Sequence, residues 1–176
     1  MAAERFSDEL NGQIGRELGA SHQYVAVAVY YDALTLPQLA AFFFRQALEE
    51  RDHAMMMVQY LLDAGATPTI PGVDAPKAGF ADIAEPIRIA LEQERRVTDQ
   101  ISSLSATARD NNDFVSEQFM QWFLKEQVEE ISTMSDLLAV AERSRDRPMD
   151  FEDYLAREKT GAAEADPTAP PVAGGA

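Results

Sequence analysis

A proline- and glycine-rich segment, residues 65–79, divides the chain and most constrains how it can fold. The segment contains three prolines and three glycines, too many helix breakers for a helix to continue through it. On both sides of it, apolar side chains recur at helical spacing over long stretches. Extended at about 3.3 Å per residue, the segment reaches about 50 Å, enough to return along a helix of about 28 residues. We therefore predict that it is a long crossover between two helical parts.

The periodicity predicts two helices in each part. Helices A and B (residues 6–34 and 37–64) are joined by a short turn, where Thr35 and Gln38 form a capping box for helix B. Helices C and D (residues 82–109 and 114–145) are joined by a short polar turn. Short connections make each pair antiparallel, and the long crossover leaves B and C parallel. The predicted fold is all-α, a four-helix bundle with one long crossover and a short fifth helix over residues 148–159.

Length and composition indicate one folded domain followed by a tail. The chain has 176 residues, enough for a single substantial core, and from residue 160 onward it consists mainly of Ala, Gly and Pro without core-forming residues. We therefore predict a domain over residues 1–159 and a disordered tail over 160–176. There is no cysteine, which excludes disulfides and cysteine-ligated metal sites. No apolar run has the length of a membrane span and residues 1–12 do not resemble a signal peptide, so the expected location is cytoplasmic.

The formal net charge of −15 bears on possible partners. A strongly acidic surface repels the phosphate backbone, which argues against nucleic-acid binding. It suits a cationic partner, although the simplest interpretation of acidic residues is solubility.

Glu50 and His53 are the first candidates for a chemical function. They lie three residues apart on helix B, so their side chains share one face and can bind the same ion. A Glu-x-x-His pair is typical of the core of di-iron four-helix bundles. Helices rich in Glu also place a His at this spacing by chance, and for the pair alone a solvated face is the alternative.

Polar residues on all four long helices fall at one depth in the predicted bundle. Measured along the helices from the two short turns, they lie at about 23–28 Å. The residues are Glu17, Glu50, His53, Glu94, Gln127 and Glu130. Carboxylates inside a core are costly unless they are paired or bind a cation, so this layer predicts a metal site. Carboxylates with one His suit iron, with manganese or zinc as competitors, and a solvated polar seam or an ion-pair network is the alternative.

These motifs resemble those of the bacterial non-haem ferritins, most closely the actinobacterial type with a C-terminal extension. The resemblance covers about residues 5–158. The motifs that carry it are Glu17, Glu49-Glu50-x-x-His53, Glu94 and Glu126-Gln127-x-Glu129-Glu130.

The resemblance implies a diiron centre and a possible third iron position. The first iron would be held by Glu17, Glu50 and His53. The second would be held by Glu50, Glu94 and Glu130, with Glu50 bridging and Gln127 close by. The third position would involve Glu49, Glu126, Glu129 and Glu130. Tyr24 and Trp122 match aromatic residues beside the diiron centre, which favours an electron-donating role over simple core packing.

What the resemblance implies as a function is ferroxidase activity combined with iron storage and detoxification. A homo-24-mer shell would oxidise Fe(II) with dioxygen or peroxide and store a ferric oxyhydroxide mineral. Asp110, Asp113 and Glu117 would be candidates for lining its channels. Haem is not expected, because Arg51 stands where bacterioferritins would have a haem-binding Met. The alternatives are a di-iron carboxylate oxidase or peroxidase acting on a small substrate without mineral storage, and a non-catalytic four-helix adaptor.

Overall fold

The computed structural model describes residues 2–158 and 166–174, and within these residues it contains five α-helices. The helices are α1 (Glu4–Ala33), α2 (Pro37–Asp63), α3 (Glu85–Asp110), α4 (Phe114–Arg143) and α5 (Pro148–Glu158). They correspond to the predicted long helices A to D and to the predicted short fifth helix, with ends that differ by a few residues. The predicted all-α bundle with a short fifth helix is confirmed. Within the same residues, no helix combines the length and the apolarity that a membrane span requires.

Two hydrogen bonds near opposite ends of α1 show that α1 and α3 are antiparallel. Near the end of α1, the Tyr31 hydroxyl donates to the carbonyl of Ile83, just before α3, at 2.7 Å. Near the start of α1, the Thr107 hydroxyl at the end of α3 donates to Oε2 of Glu9 at 2.7 Å. The short turn after α1 makes α1 and α2 antiparallel as well. Helices α2 and α3 are therefore parallel, as the crossover predicts.

The crossover, residues 64–84, runs along α1. Early in the crossover, the N–H of Thr69 donates to Oδ1 of Asn11 at 2.9 Å. Further along, the side-chain amide of Gln23 exchanges two hydrogen bonds of 2.9 Å with the backbone of Lys77. A side chain that both donates and accepts in this way holds an irregular segment much as a neighbouring strand would. The crossover is thus attached to α1 at more than one point.

The start of α2 is capped by α5, and the capping box predicted at Thr35 and Gln38 is wrong. Thr35 adopts a left-handed conformation with φ of 60°, and α2 begins without a side-chain cap from the residue before it. Instead the buried carboxylate of Glu152 accepts the N–H groups of Gln38 at 2.8 Å and Leu39 at 2.9 Å. The first N–H groups of a helix have no partner within it, and a carboxylate there is favoured by the helix dipole. Glu152 therefore fixes α5 to the start of α2.

Two apolar clusters fill the bundle, and a polar layer separates them. One cluster, with Tyr31 and Phe151, lies toward the α1–α2 turn and α5. The other, with Phe6, Leu61 and Met120, lies toward the α3–α4 turn. On each long helix the change from one cluster to the other occurs at a buried polar side chain. These side chains are Glu17 on α1, Glu50 and His53 on α2, Glu94 on α3 and Gln127 on α4.

Residues 166–174 pack against α2 and α4, whereas composition led us to expect disorder there. Oδ2 of Asp166 accepts hydrogen bonds from Nε1 of Trp122 and Nζ of Lys125, both at 3.1 Å. The N–H of Ala173 donates to the carbonyl of Met55 at 3.2 Å.

Small side chains and a few hydrogen bonds suffice for this contact, because the tail covers apolar surface that α2 and α4 already present. Val172 and Ala173 add to the apolar cluster that contains Phe6. Residue 159, the last of the predicted domain, and residues 160–165 and 175–176 of the predicted tail lie outside the described residues.

Candidate metal centre

The middle of the polar layer is a three-residue group from α1 and α2. One carboxylate oxygen each of Glu17 and Glu50 and one ring nitrogen of His53 lie within 4.8 Å of one another, and all three side chains are buried. Glu50 and His53 share a face of α2, and Glu17 meets them from the antiparallel α1. In the part of the chain that the structure describes, no other three His, Cys, Asp or Glu side chains bring their ligand atoms this close together.

This group contains a buried oxygen that the protein leaves without a partner. Oε2 of Glu17 makes no hydrogen bond within the described residues. Nδ1 of His53 lies 3.4 Å from Oε2 of Glu50. A buried carboxylate oxygen with no donor costs free energy, and a bound cation removes that cost. Two carboxylates and an imidazole suit iron, manganese or zinc, so the residues present fit a transition-metal ion.

Glu94 and Gln127 bring α3 and α4 into the same layer. The hydroxyl of the buried Tyr24 donates to Oε1 of Glu94. The amide nitrogen of Gln127 lies 3.4 Å from Oε2 of Glu94, while the Thr98 hydroxyl donates to the amide oxygen of Gln127 at 2.8 Å. Glu94 is fully buried and Glu130 is half-buried. The layer thus holds more carboxylates than the three-residue group alone.

Burial changes the protonation of four side chains of the layer, Glu50, Glu94, Glu130 and His53. Desolvation raises the pKa of Glu50 and Glu130 well above the usual range, and the charge of Glu94 adds to the rise in both. Burial raises the pKa of Glu94 to about 7, although the hydrogen bond from Tyr24 opposes the rise. Burial lowers the pKa of His53, which favours the neutral imidazole that a metal requires. Without a metal, Glu50, Glu94 and Glu130 therefore retain protons that a bound cation would displace.

Aromatic side chains border the layer. Burial and the charge of Glu94 raise the pKa of the Tyr24 hydroxyl far above its ordinary value, so this hydroxyl stays protonated. The ring of His53 meets Trp122 and Phe123 edge to face, with centroids 5.7 Å and 5.6 Å apart. These contacts restrict the orientation of the imidazole.

The cluster predicted as a third iron position is more open than the layer. Glu49 and Glu126 are half-buried and Glu129 is exposed. Burial raises the pKa of Glu49, and the charges of Glu126 and Glu129 add to this, while a hydrogen bond from Gln46 opposes it. The three carboxylates therefore repel one another across α2 and α4, and they do not form a compact group.

Two of the three channel candidates are engaged within the subunit. Asp113 accepts the N–H of Ser116 at 3.1 Å and so caps α4. Glu117 accepts a hydrogen bond from Nε of Arg109 at 2.8 Å. Asp110, by contrast, is exposed. Asp113 and Glu117 thus have structural partners that a channel role alone would not require.

Sequence reasoning missed two polar residues of the site, Gln13 and Thr98. Gln13 is buried and donates from its amide to Glu17 at 2.7 Å. Thr98 contacts Gln127, as described above. Gln13 lies four residues before Glu17 and Thr98 four residues after Glu94, so the signal available in the sequence was a polar residue one helical turn from each candidate ligand.

Comparison with protein families matches residues 7–144 to the ferritin-like domain. The chain belongs to the ferritin family. Ferritin BfrB of Mycolicibacterium smegmatis is 52% identical over 172 residues, which cover 98% of this chain and 94% of the relative. Ferritin BfrB of Mycobacterium tuberculosis is 49% identical over 97% of this chain and 94% of the relative. A bacterial non-heme ferritin of Staphylococcus aureus is 39% identical over 75% of this chain and 80% of the relative.

Solved structures of ferritins have the same fold. A novel open pore ferritin from the archaeon Archaeoglobus fulgidus superposes with a TM-score of 0.84 at 25% identity, covering 88% of this chain and 96% of that one. A humanized archaeal ferritin superposes with a TM-score of 0.86 at 23% identity, covering 93% of this chain and 99% of that one. These findings confirm the ferritin-like fold and the resemblance to bacterial non-haem ferritins.

Proposed function

We propose that this ferritin stores and detoxifies iron, oxidising Fe(II) at a diiron ferroxidase centre in the polar layer and keeping the ferric oxyhydroxide mineral inside a shell of 24 copies. The observation that carries the proposal is the buried group of Glu17, Glu50 and His53, in which a carboxylate oxygen has no partner. A buried carboxylate oxygen without a partner lowers the stability of a bundle that is held together by apolar packing, unless a cation binds there.

The layer offers ligands for two ions. The first Fe(II) would bind Glu17, Glu50 and His53. The second would bind Glu94 and Glu130, with Glu50 bridging the two ions and Gln127 beside them. The crowding of Glu50, Glu94 and Glu130, which raises their pKa values without a metal, would be relieved by two divalent cations.

In the proposed reaction each Fe(II) gives up one electron, and dioxygen or peroxide accepts the electrons. Binding of the ions releases the protons that Glu50, Glu94 and Glu130 hold in the metal-free state. His53, kept neutral by burial, donates a ring nitrogen without first losing a proton. Tyr24, hydrogen-bonded to Glu94, is placed to supply a further electron, with Glu94 beside its hydroxyl to take the proton.

We assign Glu49, Glu126 and Glu129, together with Glu130, to a third iron position next to the centre. Their openness, compared with the diiron layer, suits ions that pass on to the mineral instead of staying bound. The repulsion among these carboxylates supports a site that is completed when a cation arrives.

Exposed apolar side chains support assembly into a shell. Val29 on α1, Leu48 on α2 and Ile70 in the crossover are each more than half exposed in the single subunit, at 55%, 61% and 59%. Association of copies of the chain through these faces would remove this apolar surface from water. The acidic charge would concentrate Fe(II) at and within such a shell, which we expect to be cytoplasmic.

Iron loading of purified protein tests the proposal. The wild type should elute from size-exclusion chromatography as a large closed assembly, oxidise Fe(II) rapidly in air and retain many ferric ions per subunit. Glu50→Ala and His53→Ala should assemble normally but lose the rapid phase. Rapid oxidation at the wild-type rate in either variant would refute the centre. A small oligomer that retains no mineral would favour an oxidase or peroxidase acting on another substrate.

A further inference from the structure

Gln13 holds one oxygen of Glu17 and leaves the other free. Its Nε2 donates to Oε1 of Glu17 at 2.7 Å from one turn earlier on α1, and its side chain is 0% exposed. Oε2 of Glu17 has no hydrogen-bond partner in the described residues. A carboxyl group bonded through one oxygen no longer rotates freely about its last torsion, so the direction of the second oxygen is set as well.

Arg16 determines which end of the Gln13 amide faces Glu17. Nη1 of Arg16 donates to Oε1 of Gln13 at 2.9 Å. Arginine can only donate hydrogen bonds, so a flipped amide would set its NH₂ group against the guanidinium and its oxygen against the carboxylate. Both contacts would be repulsive. The exposed Arg16 thus selects the amide orientation that serves a buried carboxylate.

This arrangement belongs to one helix. Gln13, Arg16 and Glu17 lie at positions i, i+3 and i+4 of α1, where side chains are neighbours on the helix surface. All three side chains belong to α1, so neither a side chain of α2 nor an ion takes part in these contacts. Glu17 is oriented before a metal arrives, which lowers the cost of ordering the ligand on binding.

We propose that Gln13 is a positioning residue of the metal centre, holding Oε1 of Glu17 so that Oε2 faces the ion shared with Glu50 and His53. Arg16 acts through Gln13 by fixing its amide. The inference rests on the proposed function, since it requires an ion at this group. Groups that hold a metal ligand in this way typically change metal affinity by about 10–100-fold.

Co(II) titration of the assembled, metal-free protein tests the role without depending on turnover. Gln13→Met keeps the length of the side chain but removes the donor. Gln59→Met is the matched control, because Gln59 makes the same kind of bond, 2.8 Å to Asp63 four residues later, outside the polar layer. We expect Gln13→Met to weaken the tighter Co(II) site by about 10–100-fold and to change the visible spectrum of bound Co(II). Gln59→Met should match the wild type.

Arg16→Leu supplies a second variant that leaves the buried amide in place. It should weaken the same Co(II) site less than Gln13→Met, with an unchanged melting temperature of the metal-free protein. If Gln13→Met does not assemble, the Co(II) affinity of Arg16→Leu decides whether Gln13 positions Glu17. Co(II) affinities and spectra identical to the wild type would overturn the positioning role while leaving the metal site intact. A wild-type protein that binds no Co(II) would overturn the proposed function and the positioning role together.

Discussion

The hydroxyl of Tyr24 donates a hydrogen bond to Oε1 of Glu94, which lies 70 positions later in the chain. The bond joins α1 to α3 inside the polar layer, where both side chains are fully buried. It stabilises the charged form of Glu94 against the burial that raises its pKa to about 7. The Tyr24–Glu94 bond therefore affects the pH at which Glu94 loses its proton.

The metal-free protein should become less stable as the pH rises past neutrality. The pKa of Glu94 is raised to about 7 in the folded state, so its stabilising contribution is full below the unfolded value and is lost as the pH rises through 7. Between about pH 6.5 and about pH 8.5 the loss amounts to about 1 kcal/mol of unfolding free energy, most of it below about pH 7.5. His53, whose pKa is lowered, changes charge below this interval.

Melting temperatures of the metal-free protein across this interval would measure the effect. Glu94→Gln should reduce the dependence and leave the part that Glu50 and Glu130 contribute, whereas Glu92→Gln, at an exposed position of the same helix, should leave the dependence unchanged. A wild-type melting temperature that does not fall between these pH values would contradict the assignment of a titrating Glu94.

Tyr24→Phe should slow the oxidation of Fe(II) without preventing metal binding. The variant removes both the proposed electron donor and the hydrogen bond that opposes the rise in the pKa of Glu94. Half-saturation with Zn(II) at low metal concentration should therefore move to higher pH, because Glu94 releases its proton less readily. Stopped-flow absorbance and a Zn(II) binding curve at several pH values would test the two effects separately. If neither the oxidation traces nor the Zn(II) binding curves differ from those of the wild type, the role of Tyr24 is packing alone.

Replacing Glu49, Glu126 and Glu129 together by Ala should preserve the fast first oxidation but change later rounds. The proposed diiron ligands are untouched, whereas the proposed third iron position loses its carboxylates. An oxygen electrode would measure the ratio of Fe(II) oxidised to dioxygen consumed over successive additions of iron. Traces that match the wild type through several additions would show that Glu49, Glu126 and Glu129 form a solvated surface and not an iron position.

Gly15→Ala should destabilise the protein because the crossover approaches α1 closely. A Cβ at Gly15 would lie 2.6 Å from Cγ of Pro71, whose ring cannot turn away. We expect a loss of about 1–3 kcal/mol, typical of overpacking. Gly19→Ala, on the same helix with nothing within 4 Å of the added Cβ, should instead be neutral or stabilise by about 0.5–1 kcal/mol. Equal melting temperatures for the two variants would contradict the close approach.

Ending the chain at residue 165 should leave the helical content unchanged but alter the surroundings of Trp122. The indole N–H would lose its bond to Asp166, and its ring would become more exposed. Trp122 is the only tryptophan in the sequence, so tryptophan fluorescence reports on the surroundings of this one side chain. We expect emission at longer wavelength and a lower melting temperature. Identical emission spectra would show that residues 166–174 do not hold this position in solution.

The bundle and the level of its polar layer could be predicted because they depend on local regularities. Helical periodicity, breaker residues and a constant rise per residue place Glu17, Glu50 and Glu94 at one depth, whatever the details of packing. The crossover followed from the same arithmetic. A carboxylate at such a depth is costly alone, so the chemistry of the layer could be read from residue types as well.

Contacts between residues far apart in the sequence could not be predicted in this way. Glu152 caps α2 from 113 positions beyond Leu39, and this bond displaced the cap expected from Thr35. Neither periodicity nor propensity records which distant side chain will reach a free N–H group. The choice depends on how the helices pack after they have formed.

The sequence by itself determined that the chain forms four long helices and a fifth short one, where the crossover lies, and which carboxylates share a level. The tertiary structure decided which atoms meet. It left Oε2 of Glu17 without a partner, joined Tyr24 to Glu94, and laid residues 166–174 against α2 and α4. The physical reason is range: helix formation is governed by neighbours within one or two turns, whereas a buried hydrogen bond requires the final packing of several helices.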